Sequence, residues 1–177
     1  MHPKMFIGAV TAVFLLAACR PSSSTDELID HAHIYSATIR EVQSFERERD
    51  LVYVISTTED MAIFEGTVAP PQSISSDLQE AIVAELSDEP YRVIWIEAFE
   101  DAPIEPDNWR ETPGWKIAEG EGIVITLGNI HLQEDGSVQV SFFMTCADMC
   151  GIGQNFILKH NNGVWQVTGS IGPVIAS

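Results

Sequence analysis

Positive charge is scarce in this chain. Of 177 residues only 9 are lysine or arginine, against 26 aspartate or glutamate, and the formal charge is −17. So acidic a surface repels nucleic acid and anionic headgroups, which excludes nucleic-acid binding and leaves cationic partners, divalent cations or plain solubility. Cysteine is scarce too, at 3. The N-terminal apolar run, Phe6 to Leu16, has 11 residues, short of the about 20 that cross a bilayer core. Nucleophile elbow, phosphate loop, HExxH pair and catalytic carboxylate pair are all missing, and the serines and histidines define no triad. No cofactor is implied, no internal repeat is present, and there is no low-complexity block beyond a short polar segment, RPSSST.

What is present at the start reads as a processing signal. Lys4 supplies a positive n-region, and Phe6 to Leu16 has the length of a signal-peptide core. Leu16-Ala17-Ala18-Cys19 closes it. This stretch resembles the lipobox of bacterial lipoproteins. The resemblance implies a signal peptide over 1–18, cleavage before Cys19 and acylation of Cys19, with residues 19–25 as lipidated cysteine and tether. Arg20 in place of aspartate implies, by resemblance to enterobacterial lipoproteins, sorting to the outer membrane, facing the periplasm. Two or three acyl chains anchor stably where one does not, because each buried CH₂ contributes about 0.8 kcal/mol. The lipid bilayer is therefore an expected partner. Losing 18 residues leaves 159, and losing Lys4 takes the charge from −17 to −18.

Residues 26–177 suit a single domain with its own core. Leu28, Ala32, Tyr35, Ile39 and Val42 recur at helical spacing, which predicts a helix over 26–49 with Thr25 as N-cap. LVYVIST (51–57) and YRVIWIEAF (91–99) read as strands. Ser76 to Ser87 reads as a short helix, with Ser76 and Gln79 as a capping box and Leu78, Ile82 and Leu86 on its buried face. Residues 100–121 read as an irregular acidic crossing. Four antiparallel strands follow: 122–132, 137–146, 154–160 and 164–171. Gly136 is expected in the left-handed conformation of a three-residue hairpin. Asn162-Gly163 marks a two-residue turn that would pair His160 with Trp165 and Leu158 with Val167. Ile123, Ile125 and Leu127 fall on one parity and Ile130 and Leu132 on the other, so a bulge at Gly128-Asn129 would restore one apolar face. The expected class is α+β: N-terminal helices packed on a mainly antiparallel sheet that ends in a four-strand meander. In element order it is similar to the nuclear-transport-factor-like cone fold. Its "IYSATIR…VYVIST" opening and "C-x3-C-G-x-G…GVWQVTGSIG" close resemble secreted bacterial domains of no established activity.

The stretch FFMTCADMCGIG, 142–153, concentrates sulfur. In an oxidising compartment Cys146 and Cys150 most simply form a disulfide. A second reading is a soft-metal site, since Met144, Cys146, Met149 and Cys150 are ligands that Cu(I) prefers. "FFMTCADMC" resembles the T-x-C-P-D-x-C-P stretch of Sco-type copper chaperones, without the prolines and without their thioredoxin context. A redox dithiol is the third reading, and Asp148 between the thiols works against it. His31 and His33 read as exposed helix residues, and His131 and His160 as half-exposed strand residues. Asn129 and His131 would line a cone mouth only if the bulge turned them inward. Glu97, Glu100, Asp101, Glu105 and Asp107 read as a solvated loop rather than a calcium site. Trp95, Trp109 and Trp115 read as anchors. The function expected from these features is a membrane-anchored envelope lipoprotein whose domain binds an envelope protein or small ligand without catalysis. The alternative is a small-molecule enzyme or copper carrier.

Overall fold

The computed structural model describes residues 24–46, 49–61, 68–107, 114–118, 122–147 and 150–176. The leader, Cys19, the tether as far as residue 23, Trp109 and Met149 lie outside them. Helix α1 spans Ser24–Gln43, so its first turn takes in the end of the expected tether. The strands and second helix follow as β1 (Leu51–Ile55), β2 (Thr57–Thr58), β3 (Gln72–Ser73), α2 (Ser76–Glu85), β4 (Arg92–Ile96), β5 (Ile104–Asp107) and β6 (Gly114–Ile117). The chain ends in β7 (Gly122–Leu127), β8 (His131–Leu132), β9 (Val138–Ala147), β10 (Cys150–Asn161) and β11 (Val164–Ala176). The class is α+β, with two helices and a sheet curled into a half-barrel.

The sheet is mainly antiparallel, as expected, but it includes a parallel part around β1. Its order is β11-β10-β9-β7-β1-β4, and β1 runs parallel to both β4 and β7. Parallel neighbours need long crossovers, and the α2 segment and the 100–121 segment supply them. Val52 and Val54 then register with Ile123 and Ile125, and Ile125 and Leu127 with Met144 and Phe142 on β9, all in one core with residues of α1 and α2. Side chains such as Ile39, Ile82, Ile125 and Phe142 are fully buried there, each contributing about 1.5–3 kcal/mol.

Helix α1 is buried further round than a single stripe implies: Ile34 through Ile39 are all buried. Three contacts explain this. Arg40 Nε donates to Glu89 Oε1 at 2.6 Å and Arg40 Nη2 to Glu85 O at 2.6 Å, tying α1 to the α2 end. Trp165 Nε1 donates to Asp30 Oδ1 at 3.3 Å, bringing β11 against the other flank. The helix stops at Gln43, ahead of the expected Arg49. The Gln43 amide donates to Glu46 O and Arg49 O (3.2 and 2.6 Å), so a side chain takes up carbonyls that a further turn would have used. Helix α2 starts at Ser76 as expected, but its cap lies one residue earlier. Ser75, not Ser76, accepts from Leu78 N at 3.3 Å, and Gln79 Nε2 turns back to Ile74 O at 2.8 Å.

Within 100–121, the described residues 100–107 and 114–118 are more regular than expected. A 3-10 turn at Phe99–Asp101 leads into the β5–β6 pair, Ile104 opposite Ile117 and Glu105 opposite Lys116. Pro106 is accommodated because β5 is an edge strand. This hairpin covers the second face of the sheet, where Tyr53, Ile96, Ala102, Ile117 and Val124 form a smaller core. Both tight turns adopt the expected backbone: Gly136 has φ 79°, and Asn162 and Gly163 have φ 53° and 86°. His160 pairs with Trp165 and Leu158 with Val167. The bulge is present too. The step from Leu127 to His131 faces the shorter step from Phe142 to Gln139 on β9. Ile130 packs against the main core, but Leu132 remains 76% exposed, because it lies at the sheet's margin rather than under a helix.

Candidate functional site

The bulge builds the site. The extra residue at Gly128-Asn129 turns Asn129 inward, and it is only 5% exposed. Its backbone N–H donates to Asp60 Oδ1 at 2.9 Å. Asp60 Oδ2 accepts from Ala69 N at 3.0 Å and meets His131 Nε2 at 2.8 Å. The Asp60 side chain is fully enclosed. Burial alone would raise its pKa. The donors from Ala69, Asn129 and His131 outweigh burial and hold the carboxyl below its ordinary value. The carboxylate can only accept, so His131 presents Nε2–H to it.

A second tier of hydrogen bonds continues from Asn129. Thr58 Oγ1 donates to Asn129 Oδ1 at 2.7 Å and accepts from Gln72 N at 3.1 Å. Tyr35 Oη donates to Gly128 O at 3.2 Å. Burial first, and the Asp60 charge second, push the Tyr35 hydroxyl well above its usual range, so it stays neutral. Gly128 is required at this point: a Cβ there would collide with Ser141 Oγ and approach Asp60. Residues far apart in sequence, from α1, β2, the 59–70 connection and the bulge, are thus locked together through one buried carboxylate.

Beside this lattice lies a pocket of about 220 Å³. His31, Tyr35, Thr58, Gln72, Ser73 and Asn129 line it, with Ile74, Leu78 and Ile130 as its apolar wall. It offers hydroxyl and amide groups together with a ring nitrogen donor or acceptor. No serine positioned as a nucleophile accompanies the Asp60–His131 pair in the lattice: Ser141 is wholly buried and accepts from Met61 N at 3.3 Å.

A second cleft opens on the opposite face of the sheet. Phe99 and Trp115 form one wall, edge to face with centroids 5.1 Å apart. Ile55, Val124, Phe143 and Glu59 complete a space of about 400 Å³. Glu59, Thr126 and Phe143 also line an adjoining space of about 230 Å³ that reaches Asp60 and Met61.

The sulfur cluster resolves differently. Cys146 and Cys150 form a disulfide, with Cα atoms 5.3 Å apart, across the start of the β9–β10 pair. Met144 is 3% exposed and belongs to the core. A Glu46 carboxylate oxygen lies within 4.8 Å of both sulfurs, and this is the one grouping of metal-ligand type among the described residues. In the disulfide no thiolate is available to a metal. The Glu46 charge also opposes an attacking thiolate.

The other candidates fall as follows. His31 lines the polar pocket, whereas His33 meets Glu85 at 3.1 Å. His160 lies beside Trp165, ring centroids 5.2 Å apart. In the acidic run, Asp101 accepts from Ala98 N at 3.0 Å and Glu105 pairs with Lys116 at 3.1 Å. Trp95 packs half-buried against the main core. Sequence reasoning missed Asp60 altogether: nothing local distinguishes it in TTEDMA. His131 is the partly exposed strand residue expected, but its engagement with Asp60 carries no sequence signal. The bulge was the one signal that pointed here. No protein-family model, curated protein or solved structure matches this chain.

Proposed function

We propose that this chain is an envelope lipoprotein, held to the membrane through an acylated Cys19, whose domain binds a small polar ligand in the pocket beside Asn129 without transforming it. The finer fold reading goes with this: β7, β9, β10 and β11 act as the meander of a cone-like domain, with α1 and α2 closing it. The observation that carries the binding role is the buried lattice around the pocket. Asp60, Asn129, Thr58 and Tyr35 are all buried, and burying polar groups costs stability unless every one is paired. Holding Asn129 and Thr58 at the wall of a void is more than a core requires, and it suits a binding site whose polar groups are preorganised.

The test uses residues 20–177 and native mass spectrometry against the small-molecule fraction of bacterial envelopes. A discrete adduct is expected, and Ser73→Trp, an exposed lining position, should remove it by filling the mouth. An unaltered adduct in that variant, or none with the wild-type protein, would sink the pocket assignment. For the anchor, labelled palmitate should enter the full chain and be lost in Cys19→Ser.

One observation favours an enzymatic second reading. His31 and Tyr35, one turn apart on α1, both line the pocket, and His31 would supply the proton-transfer group. Turnover in a hydrolase-substrate screen that His31→Gln abolishes would establish it.

A further inference from the structure

We propose that the aromatic cleft on the far face of the sheet is a second binding site, for an organic cation with an apolar body. The cleft lies across the sheet from the polar pocket, and its lining is of another kind. Ile55, Phe99, Trp115, Val124 and Phe143 supply its walls. Apart from Val124, these are only half-buried, so the cleft surface is wetted and apolar. Filling it with an apolar body releases that water, which is the ordinary driving force for ligand capture.

Charge decides the rest of the ligand. Glu59 is exposed at the cleft and has no ion-pair partner among the described residues. The buried carboxylate of Asp60 stands in the wall of the adjoining space, and its lowered pKa keeps it ionised at neutral pH. Among the described cations, Arg40 is paired with Glu89, Arg49 with Glu46, Lys116 with Glu105 and Lys159 with Asp135, and Arg92 stands at the start of β4, opposite Leu51 rather than Ile55. The chain as a whole carries −17, which concentrates cations at its surface and repels anions. A ligand ammonium would sit at Glu59, with the Trp115 face within its reach as a further source of cation attraction. The occupant is thus a hydrophobic amine or quaternary ammonium compound, rather than a fatty acid or a neutral lipid.

The test compares octylamine, octanol and octanoate below their aggregation limits, by calorimetric titration of residues 20–177. Octylamine should bind saturably at one site, about tenfold more tightly than octanol, with octanoate weakest. Salt at about 0.5 M should shrink the amine's advantage. Glu59→Gln should reduce that advantage severalfold and leave octanol unchanged, while Glu80→Gln, an exposed acid on α2, should change neither. Trp115→Phe keeps an aromatic wall and should weaken both ligands modestly; Trp115→Ala should weaken them strongly. Ser73→Trp should have no effect, which separates this cleft from the polar pocket. Equal binding of amine and carboxylate, or an amine preference that survives Glu59→Gln, would overturn the proposal.

Discussion

Replacing Asp60 by alanine should be among the most damaging single changes in the domain. Three donors converge on this carboxylate: Ala69 N at 3.0 Å, Asn129 N at 2.9 Å and His131 Nε2 at 2.8 Å. A hydrogen bond to a charged group contributes about 1.5–3 kcal/mol, and the terms do not add when one acceptor serves all three. Breaking a buried charged network typically costs about 3–5 kcal/mol, because the remaining partners lose their solvation without compensation. We expect that loss for Asp60→Ala. For a domain of this size it lowers the melting temperature by about 6–20 °C. Asp60→Asn preserves the shape and one acceptor, and should cost less. Urea titration of residues 20–177 at neutral pH reads both.

The pH dependence checks the same reasoning independently. The folded pKa of Asp60 lies below its ordinary value. Its contribution is therefore present above the unfolded carboxyl pKa of about 3.9 and is lost as pH falls through the lower folded value. Wild-type stability should fall in that acid window more steeply than that of Asp60→Asn. A cost below about 1 kcal/mol for Asp60→Ala, or parallel acid curves for wild type and Asp60→Asn, would refute the claim that this carboxylate holds the site together.

Three further outcomes follow from the same structure. Gly128→Ala should destabilise by about 1–3 kcal/mol through overpacking against Ser141, measured by urea titration; a neutral result would mean that the bulge relaxes freely. Reducing the Cys146–Cys150 disulfide should cost about 2 kcal/mol, the loop-closure value for so short a ring, read as a shift of the urea midpoint with and without a dithiol. Asp135 accepts from Ser137 side chain and backbone and from Lys159, which hold its pKa at about 2. A carboxyl NMR titration should find it there, and Ser137→Ala should move it upward.

Much of the framework was legible because it is written in local pattern. The Asn162-Gly163 turn demands left-handed backbone that few residue pairs tolerate, and it fixed the β10–β11 register. The change of parity between Leu127 and Ile130 required an extra residue, and the bulge followed from it. The parallel direction of β1 against its neighbours was not legible. LVYVI reads the same whether its neighbours run parallel or antiparallel, and only the lengths of the crossovers distinguish the cases. The 100–121 segment misled because prolines and acids mask the alternation of an edge hairpin. The site itself was half visible. Asn129 and His131 were placed at a cone mouth on condition that the bulge turned them inward. Their partner Asp60 sits 69 and 71 residues away, and a lone aspartate in a polar stretch carries no signal of burial.

The most direct test of the account is amide chemical-shift mapping of residues 20–177 as the envelope small-molecule fraction is added. Binding at the braced pocket predicts the largest shifts at Thr58, Gln72, Ser73, Asn129 and Ile130, and their disappearance in Ser73→Trp. Shifts that avoid these residues, or that persist unchanged in that variant, would contradict it.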